Sequence, residues 1–244
     1  MKLSSVTFDL DGTLLDTAGD IAAACRRMLA AMEKPLRDET EIRAFVGRGM
    51  LTLVESCLTW EKPPTEAEME EGTRLFRLYY AEENGRTAKP YQKVREGLAA
   101  FASAGLPLAV VTNKRLAFAV PLLQKTGLAD YFQVVVGGDS TPRMKPEPDP
   151  ILYACSQMQV DPAENLHIGD SVHDAAAARA AGCPVWLVPY GYCDTTLTAQ
   201  DADWLVLNLF AAWQQARALF SLSAQDAGLC KAPETVAQTG RVET

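Results

Sequence analysis

The stretch VTFDLDGTLLD, residues 6–16, decides how the rest of the chain is read. Val6, Phe8 and Leu10 alternate with Thr7, Asp9 and Asp11 before Gly12 breaks the pattern. Positions two apart on a strand share a face, so the spacing predicts that Asp9 and Asp11 point the same way. Two neighbouring carboxylates repel, and placing them together at a strand end calls for a chemical reason. A calcium loop of EF-hand type does not supply one, because its glycine belongs at the sixth position, where Leu14 stands.

After this strand the pattern turns helical. In TAGDIAAACRRMLAAMEKP the residues Ile21, Ala24, Cys25, Met28, Leu29 and Met32 recur at the spacing of one apolar face. Thr17 or Asp16 is the expected cap, and Pro35 stops the helix. A second helix is expected from Asp38, with Glu41 completing a capping pair. Gly47 and Gly49 then break the chain before LTLVESCL, KPP at 62–64 is a linker, and Thr65 with Glu68 has the signature of a capping box. The last helix of this block runs through Phe76 and Tyr79 to Asn84–Gly85.

From about residue 90 short apolar runs alternate with helices. LPLAVVTNK, YFQVVVGGD, NLHIGDS and PVWLVPYG read as strands; VREGLAAFASAG, AFAVPLLQKTG, DPILYACSQM and HDAAAARAAG read as helices. Pro121 should bend its helix or mark a late start. WLVLNL and a helix to about Phe220 should close the sheet. Such alternation predicts parallel strands covered on both faces. The opening strand has no partner of its own kind nearby, so it belongs to this later sheet and the helical block is an insertion.

Several of these strands end in reactive groups: Asp9 and Asp11, then Thr112–Asn113–Lys114, then Gly169–Asp170–Ser171. In open α/β sheets the ligand crevice lies beyond the carboxyl ends of the strands, so these groups should share one crevice. Lys145 in RMKPEPDP and Asp174, four residues after Asp170, complete the set.

DLDGTLLD, VVTNK, KPEPDP and GDSVHD, in that order, resemble the four signature motifs of the haloacid-dehalogenase superfamily. The resemblance covers about residues 1–220. The helices after the first motif resemble its C1-type cap, and DTAGDIAAA with FVGRG is similar to the phosphoglycolate phosphatase branch. The resemblance implies an α/β fold with a Rossmann-like parallel sheet core and an inserted all-helical cap domain. The expected division is a core of residues 1–16 and 86–220, a cap of 17–85, and a disordered tail of 221–244. Cap hinges are expected near Leu15–Thr17 and Asn84–Ala88.

The resemblance also implies roles. Asp9 matches the nucleophile that becomes an aspartyl-phosphate, and Asp11 the general acid that later activates water. Thr112 and Lys145 match the groups that hold the phosphoryl oxygens, with Asn113 beside them. Magnesium is the implied cofactor, held by Asp9, Asp170 and the backbone carbonyl of Asp11, with Asp174 positioning Lys145. Physical chemistry agrees: at about 4 Å each like-charged pair costs on the order of 4 kcal/mol at an effective dielectric near 20, so the carboxylates need cations. One aspartate attacks while the other hands over a proton. Of the histidines, His167 reads as a core residue and His173 as a surface residue at a helix start.

The implied activity is magnesium-dependent phosphomonoester hydrolysis, with 2-phosphoglycolate as the leading substrate. Arg48, between two glycines, is the candidate for gripping its carboxylate. Sugar phosphates such as an amino-sugar 6-phosphate, or pyrophosphate, are the alternatives, followed by a phosphosugar mutase and a phosphate-responsive binding protein. The superfamily's dehalogenases lack the aspartate at the position of Asp11. Its phosphosugar mutases carry a cap-hinge histidine that TAGD at 17–20 lacks. Phosphonate-cleaving relatives use a cap lysine, whereas Lys34 and Lys62 adjoin prolines and read as solvated.

The composition sets outer bounds. A net charge of −8 and no basic face argue against nucleic acid. No apolar run reaches the roughly 20 residues of a membrane span, and MKLSSVTFDLDG does not read as a secretion signal. Six scattered cysteines without a C-x-x-C pair suggest reduced thiols in a cytoplasmic protein. The expected partner is a small phosphorylated metabolite, and the chain is expected to be a monomer or homodimer.

Overall fold

A computed structural model describes residues 2–192 and 202–222. The expected tail, and with it Cys193 and Cys230, lies outside the described residues apart from Ser221 and Leu222. The first strand, β1 (Ser5–Phe8), is followed by the two-residue β2 (Leu15–Asp16) and four helices: α1 (Ala18–Ala31), α2 (Glu39–Arg43), α3 (Met50–Leu58) and α4 (Glu66–Glu83). The chain returns through β3 (Lys89–Pro90) to α5 (Val94–Ser103), β4 (Leu108–Val111), α6 (Leu116–Lys125) and β5 (Val134–Val136). Then come α7 (Asp149–Met158), β6 (Asn165–Gly169), α8 (Val172–Ala181), β7 (Val185–Leu187), β8 (Trp204–Leu205) and α9 (Leu209–Phe220).

The main sheet has the order β5-β4-β1-β6-β7-β8, with every pairing parallel. From β1 the chain builds outward to one side through β4 and β5, then crosses to the other side with β6. That reversal places a crevice over the carboxyl ends of β1, β4 and β6. Alternation along the strands fills two cores. Val6, Phe8, Val110 and Ile168 pack with Phe101, Leu122 and Trp213, while Ala109, Val111 and Val185 pack with Ile151, Ala154 and Ala178 on the opposite face. The four helices between β2 and β3 have a core of their own around Met28, Leu29, Val54 and Phe76.

The capping predictions hold at α2 and α4, where Asp38 with Glu41 and Thr65 with Glu68 form reciprocal boxes. Gly47 and Gly49 adopt φ of 103° and 85° and separate α2 from α3. Three local expectations need correction. The cap of α1 is not a side chain of its own: the Thr17 hydroxyl turns to Asp11, and the phenol oxygen of Tyr192 accepts from the backbone N–H groups of Thr17 and Ala18. WLVLNL is strand only at Trp204–Leu205, because the Asn208 side chain accepts from Ala211 N at 2.8 Å and starts α9. Lys34 is not merely solvated; it pairs with Glu68 and ties the end of α1 to the start of α4. Pro121 lies inside α6, which nonetheless begins at Leu116.

The two crossings between sheet and helices were not foreseen as paired. β2 and β3 form a small antiparallel ribbon, with Leu15 opposite Pro90 and Asp16 opposite Lys89. Beside it, the buried Asp20 of α1 accepts from Gly85 N at 2.8 Å, Thr87 N at 2.8 Å, Thr87 Oγ1 at 2.6 Å and Ala88 N at 3.3 Å. Cys25, Cys57, Cys155 and Cys183 are buried free thiols. Among the described residues no helix is long and apolar enough to cross a membrane.

Candidate active site

Lys145 is the hub of the crevice. Its side chain is only 3% exposed, and its ammonium donates to Asp9 Oδ1 at 2.8 Å, Asp174 Oδ1 at 2.6 Å and the Val111 carbonyl at 2.8 Å. Burial opposes its charge, but Asp174 and Asp9 hold it above the usual lysine range. Asp9 continues β1 by donating its N–H to the Ile168 carbonyl, which fixes the carboxylate at the strand's end. Burial pushes its pKa up to about 6 against the pull of Lys145.

Asp174 faces the other side of Lys145. Burial alone would raise its pKa, yet Lys145 and His167 hold it well below the carboxylate range. Ser171 donates to its Oδ2 from both hydroxyl and backbone, at 2.5 and 3.1 Å, and closes the capping box of α8. His167 is a core residue, as expected, but it also reaches the site. Its Nε2 lies 3.1 Å from Asp174 Oδ1 and its Nδ1 3.0 Å from Thr7 Oγ1. Burial lowers its pKa, so the ring is neutral and donates from Nε2. Asn165 donates to Thr7 Oγ1 at 3.0 Å and accepts from Ser5 Oγ at 2.8 Å. A buried polar chain thus runs along one face of β1 and β6 to Asp174.

Asp170 is gripped by Thr13 Oγ1 at 3.2 Å and Tyr192 N at 2.6 Å. Burial, with Asp9 and Asp174 nearby, pushes its pKa well above the carboxylate range. Its seat is narrow: a Cβ on Gly12 would lie 2.3 Å from its Oδ2, and one on Gly191 2.1 Å. Tyr192 holds a second contact set, donating its hydroxyl to Asp16 at 3.0 Å while capping α1.

Asp9 and Asp11 line the same cavity, as the alternation predicts, but they have different partners. Lys114 Nζ sits 2.9 Å from both carboxylate oxygens of Asp11, with its side chain 5% exposed, and lies 4.8 Å from the centre of the Tyr80 ring on α4. Thr112 is buried at the cavity wall, and its Oγ1 accepts from Lys114 N at 3.2 Å. Asn113 uses its amide nitrogen to join the Gly47 and Lys145 carbonyls, at 3.0 and 2.9 Å, leaving its buried Oδ1 without a partner. Arg48 is exposed and makes no hydrogen bond or ion pair among the described residues; its neighbours Gly47 and Gly49 line the cavity instead. His173 is half-buried, with burial lowering its pKa. The helices contribute an apolar wall that includes Ile21, Met50, Leu53 and Phe76.

The acidic residues fit a divalent cation. Asp9, Asp170 and Asp174 each present an oxygen, all within 4.8 Å of one another, and only oxygen donors are offered. The upward shifts of Asp9 and Asp170 come first from burial, with the neighbouring carboxylates adding to them, so a cation seated among these oxygens would favour their charged forms.

Residues 6–188 match the model of the haloacid dehalogenase-like hydrolase family. The chain belongs to that family. It is 43% identical over 215 residues to a phosphoglycolate phosphatase of Thiobacillus denitrificans, covering 87% of this chain and 95% of that one. It is 45% identical over 212 residues to a plasmid-encoded phosphoglycolate phosphatase of Cupriavidus necator, covering 86% and 92%. A solved structure described as a predicted phosphoglycolate phosphatase of Haemophilus somnus superposes with a TM-score of 0.84 at 32% identity, covering 88% of this hydrolase and 99% of that chain.

Sequence reasoning placed Lys114 at the crevice, three residues beyond the apolar strand β4, but gave it no role, and it missed Tyr80, Tyr192 and Thr13 as members of the site. Tyr192 had no signal: its role depends on a loop after β7 passing beneath the start of α1.

Proposed function

We propose that the protein is a magnesium-dependent phosphomonoester hydrolase that forms an aspartyl-phosphate on Asp9, with 2-phosphoglycolate as its substrate. The observation that carries this reading is Lys145, buried between Asp9 and Asp174 at the carboxyl end of β1. The ammonium holds Asp9 by Oδ1 at the cavity wall and leaves its other carboxylate oxygen, Oδ2, as the nucleophile. In the first step that oxygen attacks phosphorus while the glycolate oxygen leaves, taking a proton from Asp11. In the second, Asp11 takes a proton from water, which attacks the aspartyl-phosphate and frees Asp9. Lys145 and the Thr112 hydroxyl hold the transferring oxygens. The Asp9 and Asp170 carboxylates, with the Asp11 backbone carbonyl, would hold the magnesium ion, and Asp174 would keep Lys145 in place. When bound, the ion neutralises charge on the carboxylates and on the phosphoryl oxygens.

The substrate assignment is supported by the names of the relatives and by their coverage of most of the chain. Residues 17–85 act, in this reading, as a cap that excludes bulk water, hinged where β2 and β3 cross. The test is phosphate release from a panel of 2-phosphoglycolate, sugar 6-phosphates, pyrophosphate and an aryl phosphate, with magnesium and with chelator. Magnesium-dependent release with 2-phosphoglycolate preferred is the expected result. Asp9→Asn should lower kcat by at least about 10³-fold; substantial activity in that variant would sink the mechanism.

A further inference from the structure

Lys114 is a buried cation whose one ionic partner among the described residues is Asp11. Holding Asp11 is an awkward permanent task for it, because the proposed chemistry needs that carboxyl turned to the leaving oxygen. Above the ammonium lies the ring of Tyr80, whose hydroxyl is buried and has no hydrogen-bond partner among the described residues. Tyr80 is 2% exposed and lines the same cavity. Buried polar groups are nearly always hydrogen-bonded, so this phenol is a donor held in reserve at the cavity wall. The other side chains that the helices present there, Ile21, Val46, Met50, Leu53 and Phe76, offer no charge to an anion. Arg115, also on the cavity wall, is engaged by Asp139 at 3.1 Å. One further cation, Lys145, is committed to Asp9 and Asp174.

We propose that Lys114 and the Tyr80 hydroxyl form the receptor for a carboxylate carried by the substrate, so that the ammonium passes from Asp11 to the incoming anion. This rests on the phosphoglycolate reading and deepens it, by assigning selectivity to the Lys114–Tyr80 pair. Phosphate at Asp9 and Lys145 and carboxylate at Lys114 and Tyr80 define a short substrate with anions at both ends. The exchange also leaves Asp11 facing the leaving oxygen only when the correct substrate is seated. The step is a change of ion-pair partner; no bond is made or broken. The exposed Arg48 has no part in it.

The experiment measures kcat/KM for 2-phosphoglycolate and for ethyl phosphate, which keeps the phosphate ester and lacks the carboxylate. The readout is the ratio of the two, for the wild type, Lys114→Met, Lys114→Arg, Tyr80→Phe and Arg48→Ala. Loss of a charge-assisted contact of about 3 kcal/mol predicts a roughly hundredfold fall in the ratio for Lys114→Met. Lys114→Arg should restore most of it, and Tyr80→Phe should lower it about tenfold, chiefly through KM for 2-phosphoglycolate. Tyr80→Phe removes one buried oxygen and carries the test if Lys114→Met does not fold. A wild-type ratio that survives both Lys114→Met and Tyr80→Phe overturns the receptor and leaves the phosphoglycolate reading standing. A ratio that collapses with Arg48→Ala instead moves recognition to that arginine and also overturns it. A wild type with no preference for the carboxylate overturns both readings.

Discussion

At Gly12 the backbone turns with φ of 91°, and the missing side chain is what admits Asp170. Gly12→Ala therefore meets two obstacles, a left-handed backbone and a Cβ 2.3 Å from the Asp170 carboxylate. The expected outcome is a loss of about 1–3 kcal/mol in stability together with at least a tenfold rise in the magnesium needed for half-maximal activity. Gly182 is the control: its φ is 76°, but nothing lies within 4 Å of an added Cβ. Gly182→Ala should cost about 1 kcal/mol and leave the magnesium titration where it was. Urea unfolding and metal titration of the two variants separate backbone strain from displacement of Asp170. At this scale the sequence was generous. The carboxylates and Lys145 could be named from motif order, because the chemistry demands particular side chains. Their supports were harder to read, since Thr13, Thr7 and Asn165 are ordinary strand and turn residues until their partners, more than 150 positions away, are known.

At the scale of elements, α1 is held at its first turn from two directions. Tyr192 caps its backbone, and Asp20 gathers the returning chain at Gly85, Thr87 and Ala88. Asp20→Ala removes the buried acceptor that four part-buried donors of the returning chain share, so a loss of about 1–3 kcal/mol in thermal or chemical unfolding is expected. Because these bonds tie together the two crossings, that variant should also show faster amide exchange at residues 85–88 than the wild type. An unchanged exchange rate there would mean that the β2–β3 ribbon alone holds the crossings. Helix periods and capping boxes in this block were legible because they are local, resting on residues three or four apart. The ribbon was not: two residues per strand give no periodicity, and Pro90 argues against a strand by propensity. WLVLNL misled for a related reason. Its apolar run continues past the strand, and the Asn208 cap decides where the helix begins.

For the whole molecule, burial of neighbouring carboxylates makes stability depend on pH and on the ion together. The folded Asp9 has a pKa near 6 against 3.8 for the ordinary group, because burial disfavours its charge. Its contribution to stability is therefore complete below about pH 4 and is lost as pH rises through 6, by an amount on the order of 3 kcal/mol. Asp170 acts in the same direction. Asp174 acts in the opposite one: Lys145 and His167 favour its charge, so its contribution is present at neutral pH and is lost in acid below about pH 4. With chelator, the melting temperature should fall between pH 5 and 7.5, and magnesium should raise it more at pH 7.5 than at pH 5. Equal magnesium shifts at the two pH values would contradict the view that the ion favours the charged forms of these buried carboxylates. The parallel sheet itself was legible from alternating runs and helices, and β1 joined the later strands as its lack of a local partner required, whereas the order of the strands came only with the structure.

Tyr192 gives these separate scales one mechanical consequence. Its backbone holds the Asp170 carboxylate while its phenol holds the opening turn of α1, the far ends of a single residue. The Asp170 carboxylate and the first turn of α1 are therefore joined by one residue, which spans from the acidic cluster to the start of the four helices. One tyrosine thus fastens a carboxylate of the acidic cluster to the opening turn of the helical block, so the two places share a single anchor.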